Sequence, residues 1–499
     1  MASLTSSPFR HFWFFPLLLL ALMCSPKQDA PVCFTGTLEG CNLIILNIDS
    51  LRVDHLSCMG YPRATSPNID RLAQAGICFA QARSNSSFTR ESVANLFTGQ
   101  YASHSGAIGW YAQPPAGLTC LAESFAQAGY ATAFLSNSPV LQLAGFTQGF
   151  QVHEYLPSQE AQSRQAPRLA ERLRAYIREH KQRPFMVYAH FLDPHGPYEP
   201  PPAIYRDLVG PPPPAQDRLH LYDYVRNHVH ELIASGFGPG DARFEDLMGR
   251  YDAEIAHVDQ AVGAIVRCLE DQGLADKTLL VVTADHGEEF LEHGFVEHAW
   301  TLYEESLRIP LIFSISGRAR PAYIQEPVSV VDLYPSFVHL FALQAPAHVL
   351  DGSCLFTANR PLRFAAPEKP FLAELLIQHR NILRAVIADG YKCIASVKKA
   401  TPRQQQDLAK RQHLLIAAYK QGRKKTHIWG PFVIKELYNL AEDPGERHNL
   451  AQQNPDRTQA FVSLLRTWQQ AFQQSANTFG QPHDADEPVE DQLRSLGYF

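Results

Sequence analysis

The chain has 499 residues, of which 45% are hydrophobic and 19% are charged, and its formal net charge is −6. This length is sufficient for a large core with a second lobe, and the modest negative charge argues against a protein that binds nucleic acid through a basic surface. The nine cysteines are scattered singly without a CxxC pair, so they predict neither a zinc site nor a disulfide framework.

The first 24 residues differ from the rest and predict a signal peptide or a signal anchor. Arg10 and His11 precede about a dozen apolar residues, a length typical of a signal-peptide core and too short to span a bilayer comfortably. Cys24 lies where a bacterial lipoprotein carries its lipidated cysteine, although Met23 is a poor match to the small residue preferred before it. We therefore expect an exported chain that is periplasmic, extracellular or anchored to a membrane through this segment, followed by a linker at 25–40.

A buried strand is predicted at Cys41–Ile48, where an uninterrupted apolar run ends in Asp49. In open α/β sheets, ligands bind in the crevice beyond the carboxyl ends of the strands. Asp49 is therefore placed to act as a ligand.

Residues Arg83–Gly99 predict a polar turn that leads into a short helix closed by Gly99. Hydroxyl groups at a helix N-terminus lie beside unpaired backbone N–H groups and the positive end of the helix dipole, where anions bind and the pKa of a nucleophile falls. Ser86, Ser87 and Thr89 are the candidates for that position. Considered alone, the pattern favours simple helix capping.

Two further strands are predicted to end in polar residues. Tyr130–Leu135 leads to Asn137, and Pro184–Leu192 leads to His195 through an Asp-Pro-His sequence. The second strand therefore repeats the pattern seen at Asp49, with a ligand type at its carboxyl end. The proline-rich residues that follow predict a surface excursion over the site.

The strand predicted at Leu279–Val282 ends in Asp285 and His286. A carboxylate together with an imidazole suits a divalent cation such as Ca²⁺, Mg²⁺, Mn²⁺ or Zn²⁺. The alternative is a solvated polar loop after a strand. The further acids and histidines from Glu288 to His298 favour the metal site over that alternative.

Helices alternate with these strands along the first two thirds of the chain. Apolar spacing predicts helices at Leu118–Gly129, Leu247–Leu269 and Val331–Leu343, and one more strand at Arg308–Phe313. This alternation predicts an α/β fold, with a large doubly wound mixed or parallel sheet flanked by helices in a catalytic domain at 41–344.

The pattern of predicted elements changes beyond residue 345, where short strand-like runs separated by turns precede one long helix. The predicted elements are Phe371–Leu376, Ala385–Ile387, Tyr391–Ala395, Pro431–Tyr438 and a helix near Asp456–Gln474. They predict a smaller antiparallel-sheet lobe with a helix at 345–480, followed by a tail at 481–499. Ten lysines and arginines between Lys392 and Lys425 favour a solvated face over a patch for an anionic polymer.

Taken in order, these motifs resemble the sulfatase family, within the alkaline-phosphatase superfamily of metal-dependent phosphate and sulfate ester enzymes. The resemblance extends from Asn42 to the C-terminus, and its blocks are NLIILNIDSLRVDHLSCMGYPRATSPNIDRLAQAG, NLFTGQYASHSG, HFLDPHGPY, VVTADHGEEFLEHG, WTLYEESLRIPLI and KELYNLAEDPGERHNL with the LRSLGYF tail. It implies one divalent metal ion and a covalent nucleophile at the start of the helix that follows the second loop.

The resemblance assigns metal ligands residue by residue. Asp49, Asp285 and His286 match ligands of the family's metal ion, and the nucleophile is a further ligand. Ser50 stands where many members carry a second ligating aspartate, so that ligand is lost or replaced.

Three more residues match positions that contact the substrate. His195 and His298 match imidazoles that meet the charged oxygens of the ester, although His-Ala replaces the more usual His-Gly at His298. Asn137 falls where many members carry a lysine, which weakens the case for a clamped sulfate.

The nucleophile is the most informative departure from the family pattern. Sulfatases carry Cys or Ser in a C/S-x-P-S-R pattern, nine residues before the Thr of Thr-Gly, and convert it to formylglycine. Thr98 places that position at Thr89 (98 − 89 = 9), whereas a register at Ser86 keeps Arg90 at the right offset but has the wrong distance to Thr98. We favour Thr89, whose secondary alcohol yields only a ketone on oxidation. It is predicted to act as an alkoxide, as in the family's phosphodiesterases and its phosphoglycerol or phosphoethanolamine transferases.

The sequence therefore predicts a metal-dependent ester hydrolase or phospho-group transferase that favours phosphate mono- or diesters. Its substrate is expected to be an ester of a small molecule, a glycan or a lipid headgroup, with no nucleic-acid partner. Two alternatives stay open. One is a sulfuric ester hydrolase with a modified Ser86, acting on a sulfated glycan or another sulfate ester, and the other is a non-catalytic protein that binds an anion in the same pocket.

Overall fold

The computed structural model describes residues 30–109, 113–157, 165–212, 229, 231–377, 381–396 and 435–476. The predicted signal segment at 1–24 with Cys24, the tail at 481–499 and most of the basic stretch lie outside the described residues. None of the helices within the described ranges has the length and apolar character needed to cross a bilayer. The predicted domain limits stay predictions.

The strands, in chain order, are β1 (Val32–Phe34), β2 (Asn42–Ile48), β3 (Ile77–Phe79), β4 (Ala82–Arg83), β5 (Ala131–Ser136), β6 (Val152–Tyr155), β7 (Phe185–Phe191), β8 (Thr278–Thr283), β9 (Glu289–Phe290), β10 (Val296–Glu297), β11 (Leu311–Ser314), β12 (Ala322–Ile324), β13 (Val328–Ser329), β14 (Leu362–Arg363), β15 (Phe371–Ile377), β16 (Asn381–Ala388), β17 (Tyr391–Ser396) and β18 (Lys435–Asn439). The helices are α1 (Pro67–Ala75), α2 (Thr89–Thr98), α3 (Ala102–Ser105), α4 (Leu121–Gln127), α5 (Gln165–His180), α6 (Pro202–Leu208), α7 (Ala242–Asp271), α8 (Glu304–Leu307), α9 (Leu333–Leu340) and α10 (Pro455–Ala476).

An eight-stranded sheet forms the centre of the larger lobe, in the spatial order β12, β3, β11, β8, β2, β7, β5 and β6. Strand β11 is antiparallel to both of its neighbours, whereas the other neighbouring pairs are parallel. Helices pack against this sheet, and the smaller lobe contains a separate antiparallel sheet. The predicted fold class is therefore confirmed, with the mixed form of the sheet.

The three central strands end at the same edge of the sheet. Ile48 of β2 pairs with Phe191 of β7, and Asn47 pairs with Thr283 of β8. Every residue of these strands is buried, because other elements cover both faces of the sheet. The polar residues that follow the strands are thus delivered to one crevice.

The long helix α7 shows why the apolar spacing was informative. Its predicted inward positions are all buried: Leu247, Tyr251, Ile255, Val258, Val262, Ile265 and Leu269. Full burial of one such side chain stabilises the fold by roughly 1.5–3 kcal/mol. The helix begins five residues before the predicted start, since the Asp241 side chain accepts a hydrogen bond from the backbone N–H of Arg243 at 2.9 Å and caps it.

Some elements depart from the sequence expectations. The edge strand β6 and the helix α5 were not predicted. Strand β6 is short, because it has only four residues, and these alternate in exposure. The helix predicted over Val331–Leu343 begins instead as a 3-10 turn at Val330–Asp332, because the Asp332 carboxylate accepts hydrogen bonds from the backbone N–H and the hydroxyl of Ser329.

The smaller lobe is a four-stranded antiparallel sheet in the order β15, β16, β17 and β18, with α10 packed against it. Of the strand predicted at Pro431–Tyr438, residues 431–434 lie outside the described ranges. Asn85 joins the lobes, because its side chain donates to the carbonyl of Leu372 at 2.7 Å and its own carbonyl accepts from the N–H of Glu374 at 2.8 Å. The polar turn before α2 is therefore held in place by the smaller lobe.

Candidate metal and nucleophile site

Three residues from two strand ends converge beyond the carboxyl edge of the sheet. One potential ligand atom from each of Asp49, Asp285 and His286 lies within 4.8 Å of the other two. Nε2 of His286 is 3.4 Å from Oδ2 of Asp285 and 3.7 Å from Oδ1 of Asp49. All three side chains are buried.

The backbone fixes the orientation of the His286 ring. Its Nδ1 donates to the carbonyl oxygen of Gly287 at 2.9 Å, so that the lone pair of Nε2 faces the two carboxylates. Gly287 is required at this point, because a Cβ atom there would lie 2.0 Å from the carbonyl oxygen of Glu305. The lack of a side chain at residue 287 therefore allows the backbone after His286 to lie close to Glu305.

A second histidine, His190, supports Asp49 from within β7. Its Nε2 donates to Oδ2 of Asp49 at 3.1 Å, while its Nδ1 accepts from the Asn47 amide and the Tyr188 hydroxyl, both at 3.1 Å. Burial opposes ionisation of Asp49, but this hydrogen bond and the charges of nearby histidines hold the pKa of Asp49 below its usual range. His190 was not predicted as a site residue, although its register opposite Asn47 marks two polar residues inside buried strands.

The electrostatics of the cluster fit a divalent cation. Burial and the negative charge of Asp49 raise the pKa of Asp285, and Oδ2 of Asp285 has no hydrogen-bond partner among the described residues. A buried carboxylate oxygen in this condition is costly unless a cation or a proton satisfies it. Two carboxylates, one imidazole and a nearby hydroxyl form a donor set for Mn²⁺, Zn²⁺, Ca²⁺ or Mg²⁺.

That hydroxyl belongs to Thr89, the first residue of α2. Its Oγ1 lies 3.1 Å from Nε2 of His286, and the residue is buried. The N-terminal position exposes Thr89 to the positive end of the helix dipole, which favours an anion there. Ser50 adds no charge to the group. Its hydroxyl donates to Oδ1 of Asp49 at 3.1 Å, and its backbone N–H points to Oδ1 of Asp285 at 3.4 Å.

The serine hydroxyls of the preceding turn have other partners. Ser86 donates to Oε2 of Glu91 at 2.6 Å, and Ser87 donates to the carbonyl oxygen of Thr301 at 2.7 Å. Burial raises the pKa of Glu91 to about 7, although hydrogen bonds from Ser86 and from backbone N–H groups oppose this shift. Of the three candidate hydroxyls, Thr89 is the one recorded within hydrogen-bonding distance of the predicted metal ligands.

His195 and His298 lie beside this cluster. The ring of His298 stacks on the ring of His286 with centroids 4.1 Å apart, and the His195 ring meets it edge-on at 4.9 Å. Nδ1 of His298 donates to Oε1 of Glu288 at 2.9 Å, and Glu288 also accepts from the Tyr198 hydroxyl at 2.9 Å. The sequence marks Glu288 only as one of several acids after the strand, so its contact with His298 is a finding of the structure.

Asn137 lies at the end of β5, next to β7 at the same edge of the sheet. Its Oδ1 accepts from the backbone N–H of Leu192 at 2.7 Å, whereas its buried Nδ2 has no hydrogen-bond partner among the described residues. An unused donor near the crevice is available to an anionic group. The structure thus brings together Asp49, Asp285, His286 and Thr89, with His195 and His298 adjoining, and leaves Asn137 further along the edge.

Comparison with known proteins identifies relatives of this chain. The sequence model of the family described as Sulfatase matches residues 41–343. Arylsulfatase A of Bos taurus is 26% identical over 474 residues, covering 82% of this chain and 83% of that protein. Arylsulfatase K of Xenopus laevis is 27% identical over 264 residues, covering 53% of this chain, and the aligned part spans 44% of the length of that relative.

Solved structures show the same fold at low sequence identity. A phosphonate monoester hydrolase of Agrobacterium radiobacter superposes with a TM-score of 0.64 at 19% identity, covering 87% of this chain and 96% of that chain. A protein solved with its substrate D-glucosamine-2-N,6-O-disulfate superposes with a TM-score of 0.67 at 18% identity, covering 87% of this chain and 99% of that chain. Because the family match covers more than half of the sequence, the resemblance is confirmed and the chain belongs to the sulfatase family.

Proposed function

We propose that this protein is a metal-dependent ester hydrolase, or a phospho-group transferase, in which Thr89 is the nucleophile and a phosphate mono- or diester is favoured over a sulfate. The single observation that carries the proposal is the distance of 3.1 Å between Oγ1 of Thr89 and Nε2 of His286, beside two buried carboxylates. A hydroxyl in that position is activated in the way that a covalent mechanism needs.

The reaction proceeds in two displacements. Thr89 reacts as the alkoxide, its proton having passed to solvent. Its Oγ1 attacks phosphorus, the bond from phosphorus to the leaving oxygen breaks, and His298 in its protonated form donates a proton to that oxygen. Water, or an acceptor alcohol, then attacks the phosphorus of the phospho-threonine and gives its proton to the neutral imidazole of His298, and Thr89 leaves as the alkoxide. Asp49, Asp285, His286 and Thr89 would hold a divalent cation, which would lower the pKa of the threonine hydroxyl and offset charge on the transferring group.

The neighbouring residues support this assignment of roles. Glu288 holds Nδ1 of His298 at 2.9 Å, so the ring exchanges protons with the substrate through Nε2. His195 has its Nδ1 bonded to the carbonyl oxygen of Gly196 at 2.8 Å, which likewise directs Nε2 to the phosphoryl oxygens. These oxygens carry the negative charge that an imidazolium or an amide donor stabilises.

A sulfuric ester hydrolase is the second candidate, and the observation in its favour is that several relatives are named arylsulfatases. In that case Ser86 carries the formylglycine. The hydrogen bond of 2.6 Å from Ser86 to Glu91 supports the first candidate instead, because it occupies the serine hydroxyl away from the predicted ligands. In the Ser86 register, Phe88 also stands where the modification pattern has Pro, although Arg90 keeps the position of the Arg.

One assay separates the candidates. The parent, Thr89→Ala and the matched control Ser86→Ala are supplied in turn with Mn²⁺, Zn²⁺, Ca²⁺ and Mg²⁺, and are compared on an aryl phosphate monoester, an aryl phosphate diester and an aryl sulfate. We expect turnover of a phosphate ester that is lost in Thr89→Ala and kept in Ser86→Ala. Turnover of the sulfate that depends on Ser86 and survives in Thr89→Ala contradicts the proposal.

We propose that the protein is exported and meets its natural substrate outside the cytoplasm. The N-terminal segment favours export. Of the solved structures with this fold, one contains a sulfated glucosamine as its substrate and another is a phosphonate monoester hydrolase. We infer an ester of a small molecule, a glycan or a lipid headgroup.

A further inference from the structure

A second group of carboxylates and a histidine lies beyond the candidate active site, in the loop that follows it. One potential ligand atom from each of Glu289, His293 and Glu305 lies within 4.8 Å of the other two. Nδ1 of His293 bonds to Oε1 of Glu305, and the Thr301 hydroxyl donates to Oε1 of Glu289. This group shares no residue with the site described above.

The second carboxylate oxygen of Glu289 is the feature that the hydrogen bonds leave unexplained. Glu289 is fully buried, and its Oε2 has no hydrogen-bond partner among the described residues. Burial and the negative charge of Glu305 raise the pKa of Glu289 well above its usual value. A buried oxygen of this kind requires a proton or a cation, because leaving it unsatisfied is costly.

The His293 ring is held in the orientation of a metal ligand. Its Nε2 donates to the carbonyl oxygen of Glu446 at 3.2 Å, and the ring stacks on Tyr303 with centroids 3.6 Å apart and planes 12° apart. A hydrogen bond from one ring nitrogen to a backbone carbonyl is the usual support for a histidine that binds a metal through the other nitrogen. Nδ1 is therefore the nitrogen that faces the two carboxylates.

From this geometry we propose that Glu289, His293 and Glu305 form a second divalent-cation site that takes Zn²⁺. One imidazole with two carboxylates suits Zn²⁺, whereas Ca²⁺ and Mg²⁺ prefer oxygen ligands alone. The inference is independent of the proposed ester hydrolysis, because it concerns a different set of ligands.

The competing occupant is a proton on His293. Burial opposes protonation of the ring, but the hydrogen bond and charge of Glu305 raise the pKa of His293 to about 9. A proton on His293 neutralises Glu305, and Glu289, whose pKa is raised, then needs a proton of its own for Oε2. One divalent cation compensates both Glu289 and Glu305, and titration with ZnCl₂ distinguishes it from the protons.

A cation at this position has a structural consequence. It would link the β9–β10 hairpin to α8. The hydrogen bond from His293 to the carbonyl oxygen of Glu446 would connect this linked pair to the smaller lobe. The backbone N–H of Glu288 already donates to the carbonyl oxygen of Glu305 at 3.1 Å, so the hairpin and the helix are adjacent. We expect the cation to stabilise the loop that carries Asp285 and His286, not to touch the substrate.

Metal stoichiometry of the whole chain tests the proposal. Protein stripped with a chelator is titrated with ZnCl₂ by calorimetry, and bound zinc is counted by mass spectrometry after gel filtration. We expect two equivalents for the parent, one for His293→Gln, one for Asp285→Asn and none for the double variant. His448→Gln is the matched control, because His448 has a side chain 82% exposed and should keep two equivalents.

The outcomes separate the two sites. One equivalent in the parent that disappears in Asp285→Asn overturns the second site and leaves the first intact, and two equivalents in His293→Gln also overturn it. One equivalent in the parent that disappears in His293→Gln supports the second site and contradicts the first. If His293→Gln does not fold, Glu289→Gln replaces it, because that change keeps the size of the side chain, and retention of two equivalents in this variant overturns the second site.

Discussion

Two clusters of buried carboxylates in this molecule differ in what neutralises them. Between the lobes, Glu304 bonds to Arg83 at 2.7 Å and to Lys392 at 3.0 Å, and Glu446 bonds to Lys392 at 2.9 Å. Although burial opposes it, the charges of Arg83 and Lys392 hold the pKa of Glu304 below its usual range. The chain itself supplies the cations here.

The cluster at the sheet edge lacks this compensation. The favourable charges that act most strongly on Asp49 and Asp285 come from histidines, and the pKa of Asp285 is raised. Permanent cations from Arg or Lys mark a carboxylate group that holds the structure together, whereas carboxylates facing imidazoles and a hydroxyl mark a place for an external cation. The two clusters should therefore respond in opposite ways to neutralisation.

The largest difference is expected for Asp285→Asn. We expect activity to fall by ~10³-fold or more, because a metal ligand is lost. In metal-free protein the free energy of unfolding should stay equal or rise, since the substitution removes a buried charge that lacks a strong partner. Ester turnover and chemical denaturation in the presence of a chelator measure the two effects, and a destabilised metal-free variant would break the comparison.

Glu304→Gln should have the opposite signature. Removing one partner of a buried ion pair leaves Arg83 and Lys392 without their shared carboxylate, which costs about 3–5 kcal/mol in the free energy of unfolding. The variant should keep kcat within a few-fold of the parent, because Glu304 is not placed in the proposed chemistry. Denaturant unfolding at neutral pH provides the measurement, and an unchanged midpoint would contradict it.

Metal removal should lower the melting temperature of the parent more than that of the sheet-edge variant Asp285→Asn. With free cation at about 100 times its Kd, binding stabilises the folded state by roughly 2.7 kcal/mol, so a chelator should lower the melting temperature of the parent. Asp285→Asn should show a smaller shift under the same treatment. Equal shifts in both proteins would show that the cation is bound elsewhere.

Acid should reduce the difference in unfolding free energy between the parent and Glu304→Gln. A carboxyl group whose pKa is lowered in the folded state stabilises the fold when the pH is above its ordinary pKa of 4.5. This contribution is lost as the pH falls toward the pKa of the folded state. We expect the difference in unfolding free energy to be full at pH 7 and smaller at pH 3.5. A gap that widens in acid would reverse the assigned sign.

The smallest effect is expected for Asn137→Ala. Loss of one amide donor to an anionic substrate should raise KM by about tenfold with a limited change in kcat. The backbone N–H of Leu192 also loses its acceptor, so the melting temperature is measured beside the kinetics. A change in stability without a change in KM would make Asn137 a structural residue only.

The sequence was most informative where burial and chain direction act together. Asp49, Asp285 and His195 follow apolar runs, and parallel strands bring their carboxyl ends to one edge, so their convergence was predictable. His190 was not, because it lies within an apolar run and its role depends on pairing with a strand 143 residues away. Lys392 was expected on a solvated face but is buried against Glu304 and Glu446, which belong to other segments.

The most direct test of the central claim is the covalent state of residues 84–90. The parent is mixed with an aryl phosphate and its cation, quenched in acid during turnover and cleaved with trypsin, and the peptide from Ser84 to Arg90 is sequenced by mass spectrometry. We predict a phosphate on Thr89 and an unmodified Ser86. An aldehyde at Ser86, or an unlabelled Thr89 while turnover proceeds, would contradict the proposed mechanism.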